Sequence, residues 1–247
     1  MSSARPTDST LHRPPWAPDS VKQHYRAVLT GLRGAPLGEA ELTSHWPLVG
    51  TADRRLLVVG QAVFGWIPRW TMDQLNTASG IERVIEESAA VFYDREDPME
   101  WIVGNRARSS PFWRVVRRLV EARYADSHAN WYSHIAWANI YPVARNDERG
   151  NPDGPLRTLQ IRPAARLLDA VASELRPEAV IVLGGTYWWD VQELLTLHDQ
   201  QACERPLLSV GHRHGTRWIA GMHPGGAQRR GWSTDRYAGV LVQALDG

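Results

Sequence analysis

Leu56-Leu57-Val58-Val59-Gly60-Gln61-Ala62-Val63-Phe64-Gly65 decides how this chain is read. Four aliphatic residues without a polar break suit a parallel strand buried on both faces, because a strand with one wet face alternates. Gly60 and Gly65 then bracket a tight loop, and glycine lets backbone come close to a ligand. Open α/β sheets bind ligands outside the carboxyl ends of their strands. The loop is therefore either one wall of a pocket or an ordinary strand-to-loop corner.

The same pattern recurs outward from this stretch. Glu178 to Gly185 repeats the buried strand followed by glycine, and Ser133 to Ile140 is a strand ending in Asn139-Ile140-Tyr141-Pro142. The last strand, Arg217 to Met222, runs into His223-Pro224-Gly225-Gly226-Ala227-Gln228-Arg229-Arg230-Gly231. Helical spacing predicts helices over 19–37, 71–90, 112–124, 161–175, 186–197 and 234–245. Strands separated by helices, never by hairpin-length turns, imply parallel pairing. The expected fold is an α/β three-layer α/β/α sandwich around a mainly parallel four-stranded sheet. Residues 1–18 read as a flexible tail and 19–247 as one domain.

Composition bounds the function. The hydrophobic fraction of 43% and charged fraction of 22% are those of an ordinary globular protein. The single cysteine, Cys203, excludes an intrachain disulfide, an all-cysteine zinc site and a four-cysteine iron–sulfur cluster. No run approaches the ~20 apolar residues of a membrane span, so no membrane association is expected. The polar, Pro-rich N-terminus has no apolar signal core and predicts a cytoplasmic protein. Lys22 is the only lysine, so nearly all basic charge is arginine. That reflects either phosphate recognition or the codon habit of a GC-rich genome. Twelve tryptophans either stack on bases or fill the core. Ser109 and Ser110, before the helix at Phe112, are helix caps or part of a phosphate seat. His212, His214 and His223 are the one conceivable metal set; the first two read as loop residues, and no metal or other cofactor is expected.

Three strand ends stand out together: Gly60-Gln61-Ala62-Val63-Phe64, Asn139, and His223-Pro224-Gly225. In this order they resemble the uracil-DNA glycosylase superfamily, over roughly residues 53–245. Its members carry a Gly-Gln-Asp-Pro-Tyr or Gly-Glu-x-Pro-Gly loop after the first strand. They also have an asparagine ending a middle strand and a His-Pro-Ser-Pro-type loop after the last. The resemblance implies hydrolysis of the N-glycosidic bond of a flipped-out base in DNA, by a monomer, leaving an abasic site. It makes Gln61, Asn139 and His223 catalytic and assigns Asn139, Ala62 and Phe64 to the base, with Phe92 or Tyr93 stacking on it. Asn139 offers both a donor and an acceptor to a pyrimidine edge, and His223 donates to the departing base. Ser109, Ser110, Gln228, Arg229 and Arg230 would hold the DNA.

The sequence also departs from the family pattern. Ala62 stands where the water-activating aspartate belongs, Val63 replaces the proline, Phe64 the tyrosine, and Ala227 the intercalating leucine. Asp94, Glu96, Asp97 and Asp147 are either sources of a replacement carboxylate or, the favoured reading, solvated charges. The substrate implied is a modified pyrimidine, such as a hypermodified cytosine of phage DNA, in preference to uracil. The alternatives are a catalytically inert DNA-binding protein of the same fold and a hydrolase of free nucleosides or nucleotides.

Overall fold

Alternating burial explains why Leu56–Val59 is the hub. Leu56 and Val58 enter one hydrophobic core while Leu57 and Val59 enter another, so the strand separates two apolar layers. The computed structural model describes residues 15–53, 55–62, 66–104, 109–124, 128–146, 151–152 and 154–247.

Along the chain come α1 (Asp19–Gly31), β1 (Leu42–Ser44), β2 (Leu48–Val49), β3 (Leu56–Ala62) and β4 (Arg69–Trp70). Next are α2 (Ala78–Ala90), α3 (Trp101–Gly104), α4 (Pro111–Arg123), β5 (Ile135–Tyr141) and β6 (Val143–Arg145). Then follow α5 (Gly154–Leu175), β7 (Ala179–Val182), α6 (Trp188–Leu195), β8 (His198–Ala202) and β9 (Leu207–Arg213). The last elements are β10 (Thr216–Gly221), α7 (Pro224–Gln228) and α8 (Thr234–Asp246).

The expected four-stranded sheet is a correction. Seven strands pair in the order β2-β5-β3-β7-β10-β9-β8. The middle four are parallel, and β2, β9 and β8 add antiparallel edges. Strand β9 escapes a sequence reading because its buried face is Leu207, Ser209 and Gly211. Ser209 there accepts from Trp188 Nε1 at 2.9 Å, and Gly211 leaves room for Leu197, whose Cβ would stand 3.0 Å from a side chain at that position. Exposed β8 carries no apolar signal at all. His212 accordingly lies on a strand, and only His214 sits in a turn.

Helices α1, α2, α5 and α6 contribute to the core around Leu57 and Val59. Helices α3, α4, α7 and α8 supply the core around Leu56 and Val58. A small antiparallel sheet, β4-β1-β6, lies apart from the main one. Residues 15–18 belong to the folded body: Trp46 Nε1 donates to the Trp16 carbonyl at 2.8 Å, and Trp16 packs against both cores. No described helix is long and apolar enough to cross a membrane.

This strand order places the site. From β3 the chain moves to β5 on one side, then crosses to β7 on the other, so the switch point lies between β3 and β7. Diverging connections leave a crevice at such a point, above the carboxyl ends of the strands.

Candidate active site

Gln61 and Gly184 meet across the switch point. Gln61, at the end of β3, donates from Nε2 to the carbonyl of Gly184, just beyond β7, at 3.0 Å. Gly185 follows with φ at +58°. A Cβ there would lie 3.2 Å from the His223 backbone nitrogen and 3.5 Å from Gln61 Nε2, so glycine serves both the conformation and the close approach. These residues border a cleft of about 480 Å³, lined also by Thr186, Trp189, Arg205, Arg229 and Arg230. Its size is that of a ligand pocket, ~300–1,000 Å³.

His223 caps α7, with Pro224 at the first helical position. Its Nδ1 accepts from the Gly225 backbone N–H at 3.3 Å. In a neutral imidazole the other nitrogen then carries the proton, so Nε2 is the donor. Burial, helped by the Arg229 cation, holds the pKa of His223 below the ordinary imidazole value. The side chain is thus a neutral hydrogen-bond donor near pH 7.

Asn139 lies two residues before the end of β5, directly opposite Gly60 on β3. A Cβ on Gly60 would come within 2.5 Å of Asn139 Oδ1 and 3.5 Å of Trp137 Nε1, so the missing side chain is what admits the amide. Asn139 is only 6% exposed, and its Nδ2 has no hydrogen-bond partner. Trp137 Nε1, Trp101 Nε1 and His45 Nε2 are likewise buried without partners. Rings surround them: Trp137 lies 4.0 Å from His45, 5.0 Å from Trp66, 5.4 Å from Trp101 and 5.1 Å from Trp113. Burial pushes the pKa of His45 down to about 3, so this pocket carries no charge from it.

A chain of rings joins the two halves. His223 stacks on Phe112 at 6.3 Å, Phe112 meets Trp113 edge-on at 4.8 Å, and Trp113 meets Trp137. Strands β5 and β10 are three strand spacings apart, roughly 14 Å. Asn139 and His223 therefore share one edge of the sheet and one face of it.

The other expected site residues fall as follows. Ala62 ends β3 beside Tyr141 and has no atom able to take a proton. Phe64 and Asp147 lie outside the described residues. Phe92 is half-buried but not free to stack, because Trp101 lies parallel at 5.7 Å and the Arg95 guanidinium sits 4.9 Å from its ring. Tyr93 belongs to the core at 4% exposure. Ser110 is the N-cap of α4, and its hydroxyl makes no capping bond; Ser109 beside it is exposed. Pro111 lies against Gly225, which brings this serine pair to the His223 loop. Arg229 and Arg230 are exposed at the cleft, whereas Gln228 is held by Arg114 and Thr234. Ala227 is wholly buried, so it cannot serve as an intercalating wedge.

The candidate carboxylates fall in different places. Asp97 is buried and committed, accepting from Thr51 N–H, the Thr51 hydroxyl and the Met99 N–H. Asp94 and Glu96 are exposed. Sequence reading missed Asp190, which accepts from Tyr141 at the end of β5 and from Arg157 at 2.8 and 2.5 Å. It also missed His45, Trp66, Trp101 and Trp137, for which the tryptophan count was the only signal. No three metal-capable side chains cluster among the described residues. No protein-family model matches the chain, and no curated protein matches it.

Proposed function

We propose that the protein is a DNA glycosylase built on a uracil-DNA glycosylase-like three-layer frame, which removes a modified pyrimidine and leaves an abasic site. The observation that carries this reading is the buried, unpartnered Asn139 amide at the same sheet edge as a neutral, donor-ready His223. A buried donor without a partner costs about 1–3 kcal/mol, and a ligand that satisfies it recovers that loss. A carbonyl acceptor of a base is the kind of group that would satisfy this donor.

The reaction follows from these groups. The C1′–N bond lengthens, its electron pair leaves with the base, and charge collects on the base carbonyl. His223 Nε2–H stabilises that charge, a type of contact worth ~2.7–4 kcal/mol in other oxyanion sites. Gln61, with Nε2 engaged by Gly184, turns Oε1 to a water that adds to C1′. Its amide orients that water without accepting the proton, which passes to solvent. The largely dissociative path tolerates the alanine at position 62 at the cost of rate.

The test is incubation with DNA carrying candidate modified bases, including hypermodified phage DNA, followed by alkali. Strand breaks that disappear in His223→Ala are expected; no breaks on any substrate overturn the reading. A second reading, an inert DNA-binding protein, is favoured by the fates of Asp97 and Asp190, both committed to structural bonds. Tight binding without base release distinguishes it.

A further inference from the structure

The cleft beyond His223 carries more than the reaction uses. Arg205, Arg229 and Arg230 all line it, none forms an ion pair with a described carboxylate, and no Asp or Glu lines it. The connection between β8 and β9 supplies Arg205, and that connection is pinned in place because the Met222 N–H donates to the Pro206 carbonyl at 2.9 Å. Thr186 adds a hydroxyl. Trp189, on the first turn of α6, also lines the cleft; it is 47% exposed, although its neighbour Trp188 is fully buried. No described ring stacks on it.

Three guanidinium groups without a described carboxylate partner, one of them resting on Met222 Sδ, surround an exposed indole and match one chemistry: a phosphodiester with a base whose flat face is free. Proteins that hold single strands combine these two elements, a cationic track and aromatic platforms. In a duplex the faces of a base are already covered by its neighbours.

We propose that this cleft is a subsite for the nucleotide next to the one read at Asn139. Its base stacks on Trp189, its phosphates lie on Arg205, Arg229 and Arg230, and the preferred substrate is single-stranded DNA. The subsite rests on the reading of Asn139 as the end that takes an extruded base.

The experiment is fluorescence anisotropy of a dye-labelled oligothymidylate and of a hairpin duplex of equal length. Neither carries a cleavable base, so binding is read apart from catalysis. Trp189→Ala should weaken single-strand binding roughly 5- to 150-fold, as expected for losing one base–aromatic stack. Trp189→Phe should retain most of the affinity, and the duplex should be little affected by either change. Arg205→Ala should lower the slope of log affinity against log salt by about 0.7, one phosphate contact on a single strand. Both side chains are exposed, and an unchanged thermal melt confirms that each variant folds. Equal losses on strand and duplex, or none for Trp189→Ala, overturn the proposal. A changed salt slope in Arg205→Ala without any effect of Trp189→Ala also overturns it, reducing the cleft to a phosphate site. If these binding differences appear but no DNA ever loses a base, the glycosylase reading fails and the subsite stands.

Discussion

Replacing Gly60 by alanine tests the site where a new side chain would press directly on Asn139. The backbone of Gly60 lies outside the left-handed region, so alanine fits its conformation, and removing glycine from the unfolded chain favours folding by about 0.4–1 kcal/mol. The new methyl group would nevertheless stand 2.5 Å from Asn139 Oδ1, where ordinary contact begins at 3.4 Å. The amide must therefore retreat by roughly 0.9 Å, and a misplacement of about 1 Å can cost ~100-fold in rate. That corresponds to about 2.7 kcal/mol of transition-state stabilisation. The assay is single-turnover base release alongside a thermal melt. Expected are a drop in kcat/KM of about two orders of magnitude and a melting temperature within a few degrees of the parent. Gly60→Ala and Asn139→Ala should also be non-additive, since both act through one amide. Undiminished base release in Gly60→Ala, or losses that simply add, would refute the claim that Gly60 exists to seat Asn139.

Other expectations concern charge and stability. Under the proposed mechanism, in which His223 is a neutral donor and its pKa is depressed, kcat/KM should hold its plateau below pH 6.5 and fall only at more acid pH. Arg229→Ala removes one of the two causes of that depression, so the acid limb should move upward; a stationary limb contradicts the assignment. His45 contributes stability fully present above its unfolded pKa of 6.5 and lost progressively as pH falls towards about 3. By pH 5 the loss is about 2 kcal/mol, and His45→Phe should abolish that part of the acid sensitivity in urea titrations. Asp97→Ala should destabilise the fold by about 2–3 kcal/mol through the Thr51 and Met99 bonds yet leave single-turnover base release intact. Equal losses of stability and activity would return Asp97 to the catalytic candidates.

Much of the frame was legible because burial leaves a local signature. Runs such as Leu56–Val59 and Ala179–Val182 are apolar on both faces, as a central parallel strand requires. Edge strands lack that pressure. β8 is exposed throughout, and the buried side of β9 carries the small Ser209 and Gly211, against which Trp188 and Leu197 lie. Helix ends were also less legible than helices: Thr71 to Ala90 divides into a 3-10 turn at Met72–Asn76 and α2, a break made where Thr77 caps the second piece.

By itself the sequence determined the hub strand, its glycine, and the types of group at three strand ends, since each depends only on neighbours along the chain. It also determined that Ala62 cannot act as a base, which is a matter of atoms alone. Only the tertiary structure decided which carboxylates are free, because Asp97 and Asp190 are committed to partners 46 and 33 residues away. It likewise decided that Trp189 faces a cleft while Trp188 fills the core, although the two are adjacent in sequence. A side chain's role follows from what packs against it, and on this sheet those contacts come from strands and helices distant along the chain.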